Sequence, residues 1–215
     1  HGRELIDGVE VDSLPAGSGK GIEALSHTFH AINRAAKDDV DLVHIHSIGP
    51  AFLLPLLKVR YSGPVVFTYH APDYRQQKWG FLAKLLLMAG EVIGTMMSDA
   101  VICVSRSQSE VLRRRYRRRI SDIPNGPAYS RKRESRTFLR ESGIHSEPYA
   151  LFVGRLIPDK RVEDAIRAIG ESETVNQLVV VGEASFTDAY AARLQEMQRE
   201  GIVFVGRQVG TALEE

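Results

Sequence analysis

The stretch Ala150-Leu151-Phe152-Val153-Gly154-Arg155-Leu156-Ile157-Pro158-Asp159-Lys160-Arg161-Val162-Glu163-Asp164-Ala165-Ile166-Arg167-Ala168-Ile169 holds the plan of the fold in miniature. Four apolar residues in succession, 150–153, fit a short strand buried on both faces, the habit of parallel sheets. Gly154 closes the run, and Val162, Ala165, Ile166 and Ile169 then recur at spacings of three and four, which puts them on one face of a helix. Outward from this unit the same alternation repeats. Strand-like runs occur at Leu42 to Ile45, Val65 to Tyr69, Ala100 to Val104, Leu178 to Val181 and Ile202 to Val205, with helical spacing at Ile22, Leu25, Phe29, Ile32 and at Tyr190, Leu194, Met197. Alternating strand and helix predicts an α/β protein made of doubly wound, Rossmann-like parallel sheets.

Between Pro124-Asn125-Gly126-Pro127 and Pro148 the chain is rich in Pro, Gly, Ser and charge, with Phe138 and Leu139 as its compact apolar pair. That composition predicts a linker. The expected organisation is therefore residues 1–124 as one unit, 125–148 as the connection and 149–215 as the second unit. In the second unit Phe152-Val153-Gly154, Val180-Val181-Gly182 and Phe204-Val205-Gly206 each end a strand-like run in glycine. Glycine there permits close approach of backbone or ligand at the carboxyl end of a strand, where open α/β sheets bind ligands.

Composition narrows the function classes. With 28 basic and 27 acidic side chains among 215 residues and 43% hydrophobic content, the chain is that of an ordinary globular protein rather than a disordered or collagenous one. One cysteine, Cys103, excludes a disulfide framework and a cysteine-based zinc site and fits a reducing compartment, so a cytoplasmic location is expected. The most apolar long stretch, Phe81 to Met97, is interrupted by Lys84 and Glu91 and is a poor membrane span. The opening residues carry no basic segment followed by an apolar core, so no signal peptide is expected. The near-neutral total conceals an asymmetry: residues 113–140 carry a local charge of +9 and the rest −8. Such a segment predicts an anionic partner, whether nucleic acid, a membrane surface or a phosphorylated substrate, or else a solvated helix end.

Several motifs carry chemistry or mimic it. Gly17-Ser18-Gly19-Lys20-Gly21 resembles a phosphate loop but has Gly21 where Ser or Thr is required and Leu14 where the first glycine belongs. Asp39-Val40-Asp41 precedes a strand, hence sits at the end opposite the expected site, and reads as solvated acids. His44 and His46 face the same way on a strand and could ligate a metal, yet no third ligand lies nearby in sequence, which favours ordinary histidines. Arg155 has the better case: it follows a buried strand directly, and Pro158-Asp159-Lys160 leads into a helix that Asp159 can cap. A forked guanidinium, an ammonium and helix amides then converge where a diphosphate would sit. His70 ends an apolar strand, so its imidazole should emerge at the same kind of edge.

Taken together, His44-Ile45-His46, Thr68-Tyr69-His70, the run Ala100 to Ser105, Ile123-Pro124-Asn125-Gly126 and Gly154-Arg155-Leu156-Ile157-Pro158-Asp159-Lys160 give a chain that resembles the family-4, GT-B-type glycosyltransferases, also called glycosyl transferases group 1. Lys78-Trp79-Gly80 after His70 is similar to members acting on cell-surface polysaccharide or lipopolysaccharide. The resemblance implies two Rossmann-like units, the first lacking the family's opening strand and glycine-rich loop and the second truncated ahead of its late Glu-x7-Glu element. A literal Glu-x7-Glu, Glu163 to Glu171, lies too early to be that element. It further implies a sugar transfer from a UDP-, GDP- or similar sugar to a cell-surface glycan or lipid-linked acceptor, with retention, no metal and no cofactor. His70 would be the catalytic-site histidine; Arg155, Lys160 and Gly154 would bind the donor diphosphate; His46, Ser105, Asn125, Gly126 and Gly182 would line the cleft. Arg161 and Ala71 stand where members often have glycine. The 215-residue chain alone is expected to be inactive, and the protein to lie in the cytoplasm or at the inner face of the membrane. The alternative from another class is a non-catalytic protein that uses residues 113–140 to hold nucleic acid or an anionic surface; Tyr116, Tyr129 and Phe138 are too sparse there for base stacking. A dehydrogenase is disfavoured because no G-x-G-x-x-G follows a strand.

Overall fold

The computed structural model describes residues 2–19, 22–38, 40–76, 78–126, 136–144, 148–183 and 188–214. The chain divides into two compact units, His1–Gly126 and Pro127–Glu215.

The first unit opens with an antiparallel hairpin, β1 (Arg3–Ile6) and β2 (Val9–Asp12). Asp7 and Gly8 at its tip both take positive φ, the mirror-image turn whose twist matches that of paired strands. Helix α1 (Ile22–Ala35) follows, then β3 (Val43–His46), the short helices α2 (Ile48–Ala51) and α3 (Leu54–Arg60), and β4 (Val65–Tyr69). A 3₁₀ turn at Asp73–Arg75 leads to α4 (Phe81–Met97), β5 (Ala100–Cys103), α5 (Arg106–Tyr116) and β6 (Ser121–Asp122). Strands β3, β4, β5 and β6 form one parallel sheet in that order. Phe67, Tyr69, Val101 and Cys103 pack there against Ile48, Leu54, Leu57 and Leu112.

The apolar stretch Phe81 to Met97 is one helix, and its two glycines explain its place. A Cβ on Gly90 would lie 1.9 Å from the Ile48 carbonyl oxygen, and one on Gly94 would lie 2.8 Å from the Ala51 Cβ. These glycines let α4 pass over α2 at backbone contact and so brace the chain just after β3. Among the described residues no helix is long and apolar enough to cross a membrane.

The second unit contains α6 (Thr137–Glu141), β7 (Ala150–Val153), a 3₁₀ turn at Pro158–Lys160, α7 (Val162–Glu171), β8 (Leu178–Val181), α8 (Asp188–Glu196), β9 (Ile202–Gly206) and α9 (Thr211–Glu214). Strands β7, β8 and β9 are parallel in that order. All four residues of β8 are buried. Leu178 and Val180 meet Val162, Ile166, Tyr190 and Leu194, whereas Val179 and Val181 meet Ile144 and Leu139. Within the span expected as a linker, residues 127–135 and 145–147 lie outside the described residues. The rest of it carries α6 and contributes Leu139 and Ile144 to the second unit's core, because β8 is covered on both faces and needs apolar partners on each.

Candidate active site

In the first unit the parallel strands carry polar residues at their carboxyl ends. Parallel register sets His46 opposite Thr68, and His70 follows β4 on the same side two residues later. His46 Nδ1 lies 3.0 Å from His70 Nε2, and His44 Nε2 lies 2.7 Å from the hydroxyl of the buried Thr68. The three imidazoles form a row, with ring centroids 4.2 Å apart for His44 and His46 and 5.3 Å for His46 and His70. Partial burial, then the neighbouring His44 and His70 rings, hold the His46 imidazole below its ordinary range. Ser47, next in the chain, has φ 72 and ψ 154, a conformation that costs a non-glycine residue roughly 1–3 kcal/mol. Its N–H donates to the Thr68 carbonyl at 3.0 Å, and α2 begins immediately after it. No group of three or more His, Cys, Asp or Glu side chains able to hold a metal occurs among the described residues.

A second cluster, which sequence reading missed, supports that row from behind. Glu91 is 2% exposed in the middle of α4. Its Oε2 accepts from the Tyr69 hydroxyl at 3.0 Å and the Tyr74 hydroxyl at 3.1 Å; its Oε1 accepts from Arg115 Nη1 and the Tyr116 hydroxyl, both at 2.8 Å. A buried carboxylate is tolerable only when paired and hydrogen-bonded, and the four donors meet that demand. Burial, helped by Glu91, raises the Tyr69 hydroxyl far above its usual range and pushes Tyr116 up to about 12. Tyr69 precedes His70 and Tyr74 sits in the 3₁₀ turn after it, so Glu91 holds both flanks of the His70 segment. Asp73 in that turn is raised by burial, against the pull of Lys78 and His70, and accepts a 2.7 Å bond from Gln76. The signal in sequence was an acid inside an apolar helix.

The other expected residues of this unit are less engaged. Ser105 precedes α5 with its hydroxyl 3.1 Å from that of Ser107 and makes no side-chain cap. Asn125 and Gly126 are exposed beyond β6. The basic segment is only in part available to a partner. Arg113 donates to the Ile120 carbonyl and pairs with Asp122, Arg115 pairs with Glu91, and Arg118 donates to the carbonyls of Thr95, Ser98 and Asp99. Burying the end of α4 leaves carbonyls that the Arg118 guanidinium satisfies. Arg114, Arg117 and Arg119 make no such bond with described residues, and Arg131, Lys132 and Arg133 lie outside them.

In the second unit the strand ends are joined by backbone alone. Gly154 N donates to the Val181 carbonyl at 3.0 Å and Gly182 N to the Gly206 carbonyl at 2.8 Å. Gly182 has φ +145, and a Cβ there would fall 1.8 Å from the Gly154 carbonyl oxygen, so its requirement is close backbone approach. A Cβ on Gly154 would meet only the Phe152 ring, at 3.5 Å. Arg155 and Lys160 are exposed and unpaired among the described residues. Asp159 does not cap α7. It lies in the 3₁₀ turn, and the N-cap is Arg161 in the left-handed region, φ 51, whose guanidinium pairs with Asp164 inside the helix. The extra turn takes up Asp159 and moves Lys160 off the helix start. Of the early Glu-x7-Glu, Glu163 accepts from the Tyr190 hydroxyl and pairs with Arg193, a packing role. Lys20, Gly21 and Asp39 of the two decoy motifs lie outside the described residues, while Asp41 is at the amino end of β3, away from His46.

Residues 2–128, more than half of the chain, match the family model described as Glycosyltransferase Family 4. The chain belongs to glycosyltransferase family 4. Solved structures agree on the fold. The family-4 chain superposes on HepE of Anabaena in complex with UDP with a TM-score of 0.66 at 15% identity, covering 89% of this chain and 54% of that one. Sucrose-phosphate synthase from Thermosynechococcus elongatus gives 0.64 at 21% identity, covering 87% and 50%. A putative UDP-N-acetylglucosamine 2-epimerase from Listeria monocytogenes gives 0.52 at 11%, covering 90% and 54%. The family-4 chain thus spans about half the length of the proteins it superposes on. No curated protein matches it.

Proposed function

We propose that the protein transfers a sugar from a nucleoside-diphosphate sugar to a cell-surface glycan or lipid-linked acceptor, with retention of anomeric configuration and without a metal. The first unit holds the acceptor and the second the donor. The observation that carries this reading is the exposed pair Arg155 and Lys160, unpaired among the described residues, at the carboxyl end of the second parallel sheet in a chain whose first unit matches family 4. Arg supplies a fork of donors and Lys a mobile charge, the combination that meets a diphosphate and stabilises it as a leaving group. HepE has been solved with UDP-glucose, which favours a UDP-sugar as the first donor to try. On this reading His70, with His46, Ser105, Asn125 and Gly126, belongs to the ligand-facing edge of the first unit, and Gly154 and Gly182, with Arg155 and Lys160, to that of the second.

The test is a titration of wild type, Arg155→Ala and Lys160→Ala with UDP- and GDP-sugars. A charged hydrogen bond is worth roughly 1.5–3 kcal/mol, so each variant should bind about ten- to a hundredfold more weakly. Melting should be unchanged, since exposed positions cost under about 0.5 kcal/mol. Equal affinity in all three removes both residues from the site.

An anionic membrane surface is the proposed partner of the first unit, as suits a lipid-linked acceptor. Support has moved from the arginines toward α4, where Phe81, Leu82, Leu85 and Met88 are exposed beside Lys84, with Lys78 just ahead of the helix. Co-sedimentation should rise with the anionic lipid content of vesicles and fall with salt. Binding indifferent to both rejects a membrane partner.

A further inference from the structure

The row of imidazoles does more than supply one histidine. Nε2 of His70 is already engaged, at 3.0 Å, by Nδ1 of His46. Two imidazole nitrogens at that distance are bonded only if one carries a proton and the other does not, so the tautomer of each ring is coupled to that of the other. His46 is well held for such a task. On one side its ring lies against His44, itself tied to the buried Thr68 hydroxyl. On the other the chain leaves through Ser47, whose positive φ and bond to the Thr68 carbonyl fix the direction of exit. His70 is held in turn by its neighbours, because Tyr69 and Tyr74 both donate to Glu91.

We infer that His46 is a positioning residue: by occupying Nε2 of His70 it fixes that ring's tautomer and orientation, leaving Nδ1 as the nitrogen through which His70 meets the donor. The inference rests on the reading above that His70 faces the donor. The groups that bear on this proton are His44 and Thr68 from the strands, and Asp73 and Lys78 from the segment after His70. The neighbouring rings and partial burial favour a neutral His46, which keeps one bare nitrogen in the pair. The bond is lost only when Nδ1 of His46 and Nε2 of His70 both carry protons, as when both rings are charged.

Nitrogen-15 NMR of the histidine rings in the ligand-free protein tests this directly. With seven histidines, single substitutions assign His44, His46 and His70. In wild type the neutral His70 ring should show one tautomer. His46→Leu should give the averaged shifts of a free, mixed-tautomer imidazole, and His46→Asn, which returns a polar atom close to the position of Nδ1, should restore much of the wild-type pattern. In the full-length enzyme turnover should follow, with kcat falling about tenfold in the Leu variant, the donor KM changing little, and Asn recovering part of the loss. A merely structural role would move melting without moving the tautomer. His70 shifts in His46→Leu identical to wild type overturn the inference. If the shifts respond but His70→Ala turns over at the wild-type rate, the donor role of His70 fails while its pairing with His46 stands.

Discussion

The two units end their parallel strands in opposite ways. In the first, the carboxyl ends carry histidines, a strained serine and tyrosines, tied to one another and to Glu91 by side-chain bonds. In the second they carry glycines joined through backbone, and the cations that follow, Arg155 and Lys160, have no partner among the described residues. One edge is organised before any ligand arrives; the other keeps its charge uncommitted. A polar network fixes direction at the cost of many partners, whereas the Arg155 and Lys160 side chains can meet an anion without first giving up a side-chain bond to any described residue.

The comparison breaks most visibly at Glu91. Replacing it with Ala leaves three hydroxyls and a guanidinium unpaired in or near the core, and breaking a buried ion pair costs about 3–5 kcal/mol. In denaturant titration the first unit should unfold far earlier while the second keeps its midpoint. A loss under about 1 kcal/mol would mean the network contributes little.

Next in size is the glycine edge. Gly182→Ala forces a side chain into positive φ and onto the Gly154 carbonyl, and overpacking of this kind costs roughly 1–3 kcal/mol or more. Gly154→Ala meets only ordinary contact with Phe152 and should stay within about 0.5 kcal/mol in melting. Nucleotide-sugar binding is the separate readout: a Gly154→Ala protein that melts normally but binds weakly would assign Gly154 to the ligand rather than to the fold.

The smallest expected effect is electrostatic. The Lys58 ammonium at 2.6 Å and the Val65 N–H at 2.7 Å hold the Asp99 carboxyl below its ordinary range. A lowered folded-state value means that the unfolded chain takes up the proton first as pH falls. The contribution is therefore complete above the usual carboxylate range and lost as pH drops through the folded-state value. Asp99 is half exposed, so the gain is under about 1 kcal/mol. Asp99→Asn should melt slightly below wild type at pH 7, with the difference gone near pH 3.

How much of this could be read in the sequence differs between the same two edges. The second was largely visible, because β7 and β8 end at the expected residues, 153 and 181, and glycine plus exposed charge is a local pattern. The hairpin Arg3–Ile6 and Val9–Asp12 was not read, since its strands leave Leu5, Ile6 and Val9 largely exposed and so lack the buried alternation that marks a strand. The turn at Pro158–Lys160 escaped as well, because Arg161 in the left-handed region displaced the cap from Asp159.

The sequence by itself determined the strand and helix periods, the α/β class, the two units and which residues fall at strand ends, all of which follow from apolar spacing within a few residues of chain. Tertiary structure alone decided that Glu91 gathers Tyr69, Tyr74, Arg115 and Tyr116, that half of the 113–119 arginines serve carbonyls and carboxylates, and that His46 meets His70. The partners of Glu91, and His46 and His70, stand 17 to 25 residues from each other in sequence. A side chain's hydrogen-bond partner is chosen by the geometry of the folded sheet and the need to satisfy every buried polar atom, and neither is written in local spacing.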